Sequence, residues 1–312
     1  MSELPRFYFD GGLPPIYESL IEGRAVAVGP DDADLATAQA VIAGAARPWN
    51  AAAFALAPQL VVISRTGVGY DNVDVADALA AGVTVCHTPL APMVSTAEHT
   101  IALLLAITKG LPAMQARAVQ GLAGAGPQPV ALELDGRVLG LVGFGRIARR
   151  VATAATGLGM QTVAFDPFLD ANGTGAGTDV ALVPLAELLA AADVVTLHAP
   201  ATPDTQRIMN AATFAAMKPG AYLVNCARGA LVDHDALLDA LDSGHLAGAA
   251  LDVTDPEPLP VGHRLLDHPR AIVTPHVASA TTAGRYRLYE HAVENALAVL
   301  RGDPATTVPP PS

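Results

Sequence analysis

The chain of 312 residues has few charged residues, and its 30 acidic side chains outnumber its 18 basic ones, which gives a formal net charge of −12. A negative chain is poorly suited to nucleic acid or to an anionic membrane surface, because both carry negative charge themselves. We therefore expect neither as a partner. An anionic substrate would have to be met by a local basic pocket.

Cysteine is also scarce, and the two that are present, Cys86 and Cys226, lie too far apart in sequence to suggest a disulfide framework. The N-terminus lacks the apolar segment of a secretory signal peptide. The longest apolar run, Ile101 to Ile107, is too short to cross a bilayer and predicts a buried helix. From these absences we expect a cytoplasmic protein without a membrane span, and we assign no metal ligands.

Short strand-like segments alternate with Ala-rich helical segments in the N-terminal part of the chain. Strands are predicted near residues 6–10, 25–28, 41–42, 60–63 and 83–86. This alternation is typical of an α/β unit with a parallel sheet. Asp74 is predicted to cap one helix, and Ser95 with Glu98 predicts a capping box for another that ends near Lys109.

A second alternating series follows the segment from Gly121 to Val130, which is rich in Gly, Ala and Pro and predicts a loop or an extended arm. Its strands are predicted near residues 138–143, 161–165, 193–197, 221–225, 247–251 and 271–273. Six strands with helices between them are the content of a doubly wound sheet. The chain is predicted to close with a helix from about Thr281 to Leu300 and a Pro-rich tail, from Val308, that frays.

The first strand of the second series leads into a glycine pattern that is typical of dinucleotide binding. Gly143 allows a tight turn, Gly145 lets a pyrophosphate approach the backbone, and Ala148 keeps helix and strand close. The pattern alone also fits a plain strand–turn–helix. The next strand ends in Asp166, about where an acid binds the adenosine ribose, and no Lys or Arg follows it to meet a 2′-phosphate. This favours NAD over NADP.

Three further segments follow strands of the second series, where ligands bind in open α/β sheets. Arg228 can bind a carboxylate through two hydrogen bonds, although a surface salt bridge is the alternative. A proline-held loop is predicted to present Asp252 and Glu257, unless it is an ordinary stiff turn. A lone histidine is more often structural than catalytic, but His276 lies between a strand and a helix, and histidine suits proton transfer near neutral pH. Reduction of a 2-oxo acid needs a hydride donor, a proton donor and a cation for the carboxylate.

Seven segments, taken together and in order, resemble the D-isomer-specific 2-hydroxyacid dehydrogenase family, which includes phosphoglycerate dehydrogenases and glyoxylate/hydroxypyruvate reductases. The matching segments are residues 65–74, 95–99, the Gly143 pattern, 198–205, 225–229, 255–258 and 274–276. Each segment is a weak signal alone. Their common order makes the resemblance specific.

The resemblance implies a discontinuous domain organisation. A Rossmann-type doubly wound cofactor domain, residues 95–282, is inserted into a smaller flavodoxin-like α/β substrate domain made of residues 1–94 and 283–312. The helices near 95–109 and 281–300 are the expected hinges. The resemblance also implies a homodimer that forms through the cofactor domains, with an arm near residues 110–135.

The resemblance further implies NAD-dependent reduction of a 2-oxo acid to a D-2-hydroxy acid, or the reverse reaction. His276 is then the general acid/base, Glu257 orients it, and Arg228 binds the substrate carboxylate. The backbone N–H groups of Val68 and Gly69 are expected to hold the same carboxylate. The implied cofactor contacts are Thr96, Gly143, Phe144, Gly145, Arg146, Ile147, Asp166, His198, Ala199, Pro200, Thr205, Cys226, Ala227, Asp252, Ala278 and Ser279.

The sequence departs from the family pattern between the two parts of the chain. His87 and Pro92 stand where the family commonly has Asn, and the arm lacks the usual tryptophan and basic residues. Arg47 and Arg65 have two interpretations: they bind a substrate phosphate, or Arg47 is solvated and Arg65 supports its loop. Trp49 either lines the cleft or covers a domain edge. Glyoxylate, hydroxypyruvate and bulkier 2-oxo acids are all compatible with the sequence.

Two other functions remain as alternatives. One is a dinucleotide-sensing binding protein like the corepressors that resemble these enzymes, because a fold alone does not determine function. The other is an enzyme like formate dehydrogenase, which is disfavoured because those enzymes pair the histidine with an amide, whereas Glu257 is a carboxylate.

Overall fold

The computed structural model describes residues 3–122, 131–169 and 180–309. The chain divides into two compact units, one made of Met1–Met93 and Ala280–Ser312 and the other of Val94–Ser279. The sequence predicted domain boundaries at residues 94–95 and 282–283. The boundaries between the two compact units lie at 93–94 and 279–280. Each unit has its own parallel sheet, so the chain is an α/β protein. Within the described residues, no helix is both long and apolar enough to cross a membrane.

The first unit contains a five-stranded parallel sheet. Its strands are Arg6–Phe9 (β1), Val26–Val28 (β2), Ala40–Ala43 (β3), Val62–Arg65 (β4) and Thr84–His87 (β5). Its helices are Asp32–Leu35 (α1), Ala51–Ala55 (α2), Val75–Ala80 (α3) and the C-terminal helix Thr282–Arg301, with a 3₁₀ helix at Pro15–Leu20. The strand order β2-β1-β3-β4-β5 is that of a flavodoxin-like sheet. All five strands predicted from the sequence are present.

Both faces of this sheet are buried because successive side chains of a strand point to opposite faces. Phe7 and Phe9 belong to a core that includes the C-terminal helix, whereas Tyr8 belongs to a second core with Trp49 and Phe54. Trp49 is completely buried. Both expectations for it, a cleft wall and a domain edge, were therefore wrong: the tryptophan is a core residue.

The tail after the C-terminal helix packs on the first sheet, contrary to the prediction that it frays from Val308. The Val308 N–H donates to the Val85 carbonyl at 2.8 Å, and Thr307 forms an isolated bridge with Cys86. The Val308 side chain is only 7% exposed and lies in the core that contains Trp49. Val308 precedes the prolines, so unlike them it has a backbone N–H that can form a hydrogen bond. It also has an apolar side chain that is stabilised by burial. Residues 310–312 lie outside the described residues.

The second unit contains a seven-stranded parallel sheet. Its strands are Val138–Val142 (β6), Gln161–Phe165 (β7), Ala181–Leu182 (β8), Val194–Leu197 (β9), Ala221–Asn225 (β10), Leu246–Leu251 (β11) and Ala271–Val273 (β12). Its helices are Met93–Thr108 (α4), which begins at the boundary, Leu111–Val119 (α5), Arg146–Gly157 (α6), Leu185–Ala191 (α7), Ala211–Ala216 (α8), His234–Asp242 (α9) and Arg264–Asp267 (α10). The strand order is β12-β11-β10-β9-β6-β7-β8. The order reverses between β6 and β9, which is the switch point of a doubly wound, Rossmann-type sheet.

Two apolar cores cover the two faces of the second sheet. Gly140 in β6 is required by this packing, because a Cβ there would lie 2.5 Å from the Leu188 Cδ2 of α7. The six predicted strands are all present. The seventh, β8, was missed because a two-residue edge strand is too short to show a pattern, and it is defined only by its pairing with β7.

Two local predictions near the first helix of this unit need correction. Helix α4 begins at Met93, directly after Pro92, so Ser95 lies inside the first turn and is not the N-cap. Proline fixes a backbone angle that suits the start of a helix, which lets the helix begin three residues before Thr96, the first helical residue that an N-cap at Ser95 predicts. Of the predicted loop from 121 to 130, only the first two residues are described. Helix α5 occupies part of the predicted arm.

The burial of Val308 predicts that the tail contributes to the stability of the first unit. Val308→Asp should lower the free energy of unfolding by about 1.5–3 kcal/mol, the value of burying a valine side chain. The control is Val261→Asp, because Val261 is fully exposed. Denaturant titration followed by circular dichroism measures both variants, and equal midpoints for the two would contradict the packing of the tail.

Candidate active site

Most of the predicted site residues of the second unit lie at one edge of its sheet. Because all seven strands are parallel, the segments that follow their carboxyl ends meet at the same edge. The exception is Thr96, which is buried on α4. The residues that follow strands are Gly143 to Ile147 after β6, Asp166 after β7, His198 to Thr205 after β9, Cys226 to Arg228 after β10, Asp252 and Glu257 after β11, and His276 to Ser279 after β12.

The two glycines of the turn after β6 are needed for different reasons. Gly143 has φ of +89°, and a Cβ there would lie 2.8 Å from backbone atoms of His198 and Ala199. A Cβ on Gly145 would meet nothing within 4 Å, and α6 begins at the next residue, Arg146. Gly143 is therefore required by the fold of the protein itself. Gly145 leaves space at a helix N-terminus, which is where a phosphate binds in dinucleotide folds.

Asp166, which directly follows β7, is hydrogen-bonded to the same turn. Its Oδ2 accepts a hydrogen bond from the Phe144 N–H at 2.9 Å, and its Oδ1 accepts one from the Phe168 N–H at 3.0 Å. The half-buried carboxylate thus orients the glycine turn. Its chain neighbours Pro167 and Phe168 are exposed and carry no positive charge.

Two of the predicted cofactor residues are neutral because of burial. Although His198 keeps some exposed surface, its ring is enclosed by protein, and this desolvation lowers its pKa to about 4. Its Nε2 lies 3.1 Å from the Thr196 hydroxyl. Burial raises the pKa of the Cys226 thiol to about 12, with a smaller opposing contribution from a hydrogen bond with Thr100. Neither group contributes charge to the sheet edge near neutral pH.

A buried asparagine shapes the turn that carries Arg228. The Asn225 side chain donates to the Arg228 carbonyl at 2.8 Å and accepts from the Ala227 N–H at 2.9 Å. The Arg228 Nη1 donates to the Ala227 carbonyl at 2.7 Å. A Cβ on Gly229 would lie 2.0 Å from backbone atoms of Thr254, so the arginine turn packs directly on the segment that leads to Glu257. No role was predicted for Asn225, because its amide has no distinctive local motif.

His276 and Glu257 form a hydrogen-bonded pair that solvent can reach. The His276 Nδ1 lies 2.6 Å from the Glu257 Oε1, and the two side chains are 44% and 40% exposed. Since a carboxylate only accepts, Nδ1 carries the hydrogen and Nε2 is left for a ligand. His276 has φ of +52°, a left-handed conformation that is uncommon for residues other than glycine. Its N–H donates to the Asp252 carbonyl at 2.8 Å, which helps to hold this conformation.

Asp252 is not presented on an extended loop, as the sequence predicted, because it is 1% exposed. Its Oδ1 accepts from the Thr274 hydroxyl at 2.5 Å and the Val277 N–H at 2.9 Å, and its Oδ2 accepts from the Ala278 N–H at 2.8 Å. The His99 Nε2 lies 3.3 Å from the Asp252 Oδ1. The carboxylate therefore fixes the segment that carries His276. No role was predicted for Thr274 or His99, because their contacts with Asp252 span long sequence separations.

In the first unit, Val68 and Gly69 lie on the loop that follows β4. The Gly67 carbonyl of this loop accepts from the Thr88 N–H at 2.9 Å, and the Val68 carbonyl lies 2.8 Å from the Nδ1 of His87. Among the described residues, neither the Val68 nor the Gly69 N–H donates to a protein acceptor. Two adjacent N–H groups without a protein acceptor are suited to binding an anion.

Arg47 and Arg65, also in the first unit, make internal contacts. The Arg47 Nη2 lies 3.0 Å from the Asp32 Oδ1, and its guanidinium lies 5.0 Å from the centre of the Trp49 ring. The expectation that Arg47 is merely solvated was therefore wrong. The Arg65 Nε donates to the Asn72 Oδ1 at 3.2 Å and its Nη1 to the Thr66 carbonyl at 2.5 Å, contacts that support its own loop.

The glycine turn at the switch point, with an acid at the end of the next strand, defines a dinucleotide-binding protein of the doubly wound class. The comparison with known families is more specific. The family model described as D-isomer specific 2-hydroxyacid dehydrogenase, NAD binding domain, matches residues 101–278, more than half of the chain. The chain belongs to this family.

Individual relatives agree with this assignment. A D-3-phosphoglycerate dehydrogenase from Bacillus subtilis (strain 168) is 37% identical over 297 residues, which cover 94% of this chain and 55% of that protein. The chain thus spans about half the length of the curated relatives it matches. The crystal structure of the TT0316 protein from Thermus thermophilus has a TM-score of 0.87 at 40% identity, covering 97% of this chain and all of that one. An NADPH-dependent glyoxylate/hydroxypyruvate reductase from Sinorhizobium meliloti, in complex with NADP and malonate, has a TM-score of 0.86 at 30% identity, covering 98% and 97%.

We predict that substitution of Gly143 lowers stability, whereas substitution of Gly145 lowers the affinity for NADH. Gly143→Ala should destabilise the protein by more than about 1 kcal/mol, because the positive φ and the 2.8 Å approach do not accommodate a Cβ. Gly145→Ala should leave the unfolding midpoint unchanged but weaken NADH binding about tenfold, equivalent to about 1.4 kcal/mol. Thermal unfolding and nicotinamide fluorescence titration measure the two effects. Wild-type NADH affinity in Gly145→Ala would show that the space beside Gly145 is not the pyrophosphate site.

Proposed function

We propose that this chain is an NAD-dependent dehydrogenase that interconverts a 2-oxo acid and a D-2-hydroxy acid. The observation that carries the proposal is the 2.6 Å contact between His276 and Glu257, at the same sheet edge as the glycine turn and the arginine turn. Pairing with a carboxylate favours this activity over that of an enzyme like formate dehydrogenase. None of the relatives described above is named as a corepressor, so nothing favours the sensor alternative.

In the proposed reaction, one residue of this chain donates a proton and another supplies a positive charge. When bound, NADH would supply the hydride that reduces C2 of the 2-oxo acid. Protonated His276 donates its Nε2 proton to the C2 oxygen, while its Nδ1–H stays on Glu257, which fixes the tautomer and stabilises the imidazolium. The Arg228 guanidinium of the second unit binds the substrate carboxylate. In the first unit, the N–H groups of Val68 and Gly69 are a second proposed carboxylate-binding group. In the reverse direction, neutral His276 accepts the hydroxyl proton at Nε2.

The residues of the glycine turn fit a dinucleotide. The pyrophosphate would lie in the space beside Gly145, against the N–H groups of Arg146 and Ile147 at the start of α6. Asp166 would bind the adenosine ribose, and Asp252, although its oxygens hold the His276 segment, would lie toward the carboxamide. The remaining proposed contacts are Thr96, Gly143, Phe144, His198, Ala199, Pro200, Thr205, Cys226, Ala227, Ala278 and Ser279.

The cofactor preference proposed is NAD over NADP. The S. meliloti relative is described as NADPH-dependent, so the fold accommodates either cofactor and the choice depends on residues beside the ribose. In this chain the group at that position is the carboxylate of Asp166, followed by an exposed proline and phenylalanine. A carboxylate binds ribose hydroxyls and repels a 2′-phosphate.

The substrate proposed is a 2-oxo acid without a phosphate group, although several relatives are named D-3-phosphoglycerate dehydrogenases. The charge of Arg47 is balanced by Asp32, and the guanidinium also contacts Tyr8 and Trp49. The guanidinium of Arg65 serves its own loop. Recruiting either arginine to a phosphate would break these contacts. Glyoxylate and hydroxypyruvate therefore fit better than 3-phosphohydroxypyruvate.

We also propose a cytoplasmic homodimer. Helix α5 buries none of its residues against the rest of the described chain, and it exposes Leu111 and Val119 by 54% and 77%. Apolar side chains left exposed on a whole helix suit contact with a second copy. Cys86 and Cys226 are both free thiols, as expected in a reducing compartment.

A panel assay tests the proposed function directly. NADH oxidation is followed at the nicotinamide absorbance band with glyoxylate, hydroxypyruvate, 3-phosphohydroxypyruvate, pyruvate and phenylpyruvate, with NADPH in parallel. We expect turnover of at least one unphosphorylated acid, a preference for NADH, and a lower kcat/KM for the phosphorylated acid. Absence of turnover across the panel, with NADH still bound, would reject the dehydrogenase activity. A preference for the phosphorylated acid would reject only the substrate assignment.

Removal of the histidine tests the proton-transfer role. His276→Ala should lower kcat by roughly 10²–10⁴-fold, the usual range for general acid–base catalysis. NADH binding should persist because the glycine turn is untouched. His291→Ala, a histidine on the C-terminal helix outside the proposed site, is the control. Turnover by His276→Ala at the rate of this control would rule out the mechanism.

A further inference from the structure

We infer that His87 positions the substrate by locking the peptide unit between Val68 and Gly69. The inference rests on the proposed function only in that this peptide binds the substrate carboxylate. In the sequence, His87 stands out only as a departure from the family pattern, with no predicted role. All the contacts involved lie within the first unit.

The backbone of His87 is held firmly from two sides. Its N–H donates to the Thr306 carbonyl at 3.1 Å, and its carbonyl accepts from the Asn295 side chain at 3.0 Å. The Asn295 side chain also accepts from the Thr306 N–H at 3.0 Å, and Asn295 is buried on the C-terminal helix. The end of β5 is thus anchored to the C-terminal helix and the tail. The histidine ring therefore extends from a fixed point.

The ring of His87 is oriented by the loop after β4. Its Nδ1 lies 2.8 Å from the Val68 carbonyl oxygen, and its ring meets the Tyr70 ring edge-on at a centroid distance of 5.7 Å. Because a carbonyl only accepts, Nδ1 must carry the hydrogen. Both the imidazolium and the neutral Nδ1–H tautomer make this hydrogen bond, so it does not depend on the charge of His87.

This hydrogen bond matters because of the geometry of a single peptide unit. The Val68 carbonyl and the Gly69 N–H belong to the same planar group, and in a trans peptide they point in opposite directions. Holding the carbonyl on His87 therefore fixes the Gly69 N–H on the opposite side. A rotation of this unit would turn the N–H away from the carboxylate, and glycine resists such a rotation less than any other residue.

The rest of the loop leaves this function to His87. The Thr66 hydroxyl donates to the Ala43 carbonyl at 3.0 Å, and the Thr88 N–H donates to the Gly67 carbonyl at 2.9 Å. Both contacts fix the loop before Val68. The Val68 side chain is exposed and makes no packing contribution in the core. Among the described residues, the His87 ring is the group that contacts the Val68 carbonyl, and so the peptide unit that follows Val68.

Three substitutions separate the donor of His87 from its ring. His87→Asn keeps a donor, since the Asn Nδ2 is as many bonds from Cα as the His Nδ1, but it lacks the ring. His87→Leu has nearly the shape of asparagine without a donor. His87→Phe keeps an aromatic ring against Tyr70 without a donor. The Asn and Leu variants are the matched pair.

Steady-state kinetics with the best 2-oxo acid of the panel gives the first readout. We expect His87→Leu and His87→Phe to raise KM for the 2-oxo acid about tenfold, with kcat within about threefold and KM for NADH unchanged, because the lost orientation weakens one hydrogen bond to a charged group. His87→Asn should stay within about twofold of wild type. Equal KM values for the Asn and Leu variants would overturn the inference.

NMR of the Gly69 amide gives a second readout that needs no activity, because this amide belongs to the same peptide unit as the Val68 carbonyl that His87 contacts. The Gly69 amide shift should move away from the wild-type value in His87→Leu and stay closer to it in His87→Asn. Equal Gly69 amide shifts in the Asn and Leu variants would also overturn the inference. If wild type reduces no 2-oxo acid, the proposed function fails, while the comparison of amide shifts still decides whether His87 holds the peptide. If His87→Phe does not fold, the Asn–Leu pair is sufficient.

Discussion

Parallel pairing of the strands in the second unit is the constraint on which the candidate site depends. Parallel strands require a crossover after each strand, so every strand starts at one edge of the sheet and ends at the other. The segments after β6, β7, β9, β10, β11 and β12 therefore gather at one edge, although they are spread over more than a hundred residues of sequence. The sheet can only form with apolar residues on both faces. The burial of both sheet faces and the gathering of the candidate site residues thus both follow from the parallel pairing of the strands.

Buried or half-buried carboxylates organise the loops at these strand ends. Asp252 holds the segment that carries His276, Asp166 holds the glycine turn, and in the first unit both oxygens of Asp10 lie 2.8 Å from the Gly44 N–H. Burial raises the pKa of Asp10, and the hydrogen bond from Gly44 opposes this shift. A carboxylate has two oxygens that only accept, so it can satisfy several backbone N–H groups that a loop leaves without partners. In this chain an acid at a strand end is as much a structural element as a chemical one.

Two arginines are also held by neighbouring groups in this chain, whose net charge is −12. Arg47 is paired with Asp32 and packed on aromatic rings, so its charge is balanced locally. Arg228 lies in a turn shaped by a buried asparagine and a glycine, with its side chain half-buried at the sheet edge. Both arginines are thus oriented by groups of their own unit.

The sequence by itself determined the features that depend on neighbours in the chain. The strands of both sheets apart from β8, the glycine turn, the helix cap at Asp74, and the family with its candidate residues Arg228, Glu257 and His276 all followed from local patterns. The tertiary structure alone decided the burial of Trp49, Asp252 and Val308, the extra strand β8, and the contact of His87 with Val68. These features depend on partners that lie far away in sequence. For example, Asp252 bonds Val277 twenty-five residues later, and His87 contacts Val68 nineteen residues earlier. A residue type shows that a hydrogen bond or burial is possible, but only packing determines which distant group satisfies it.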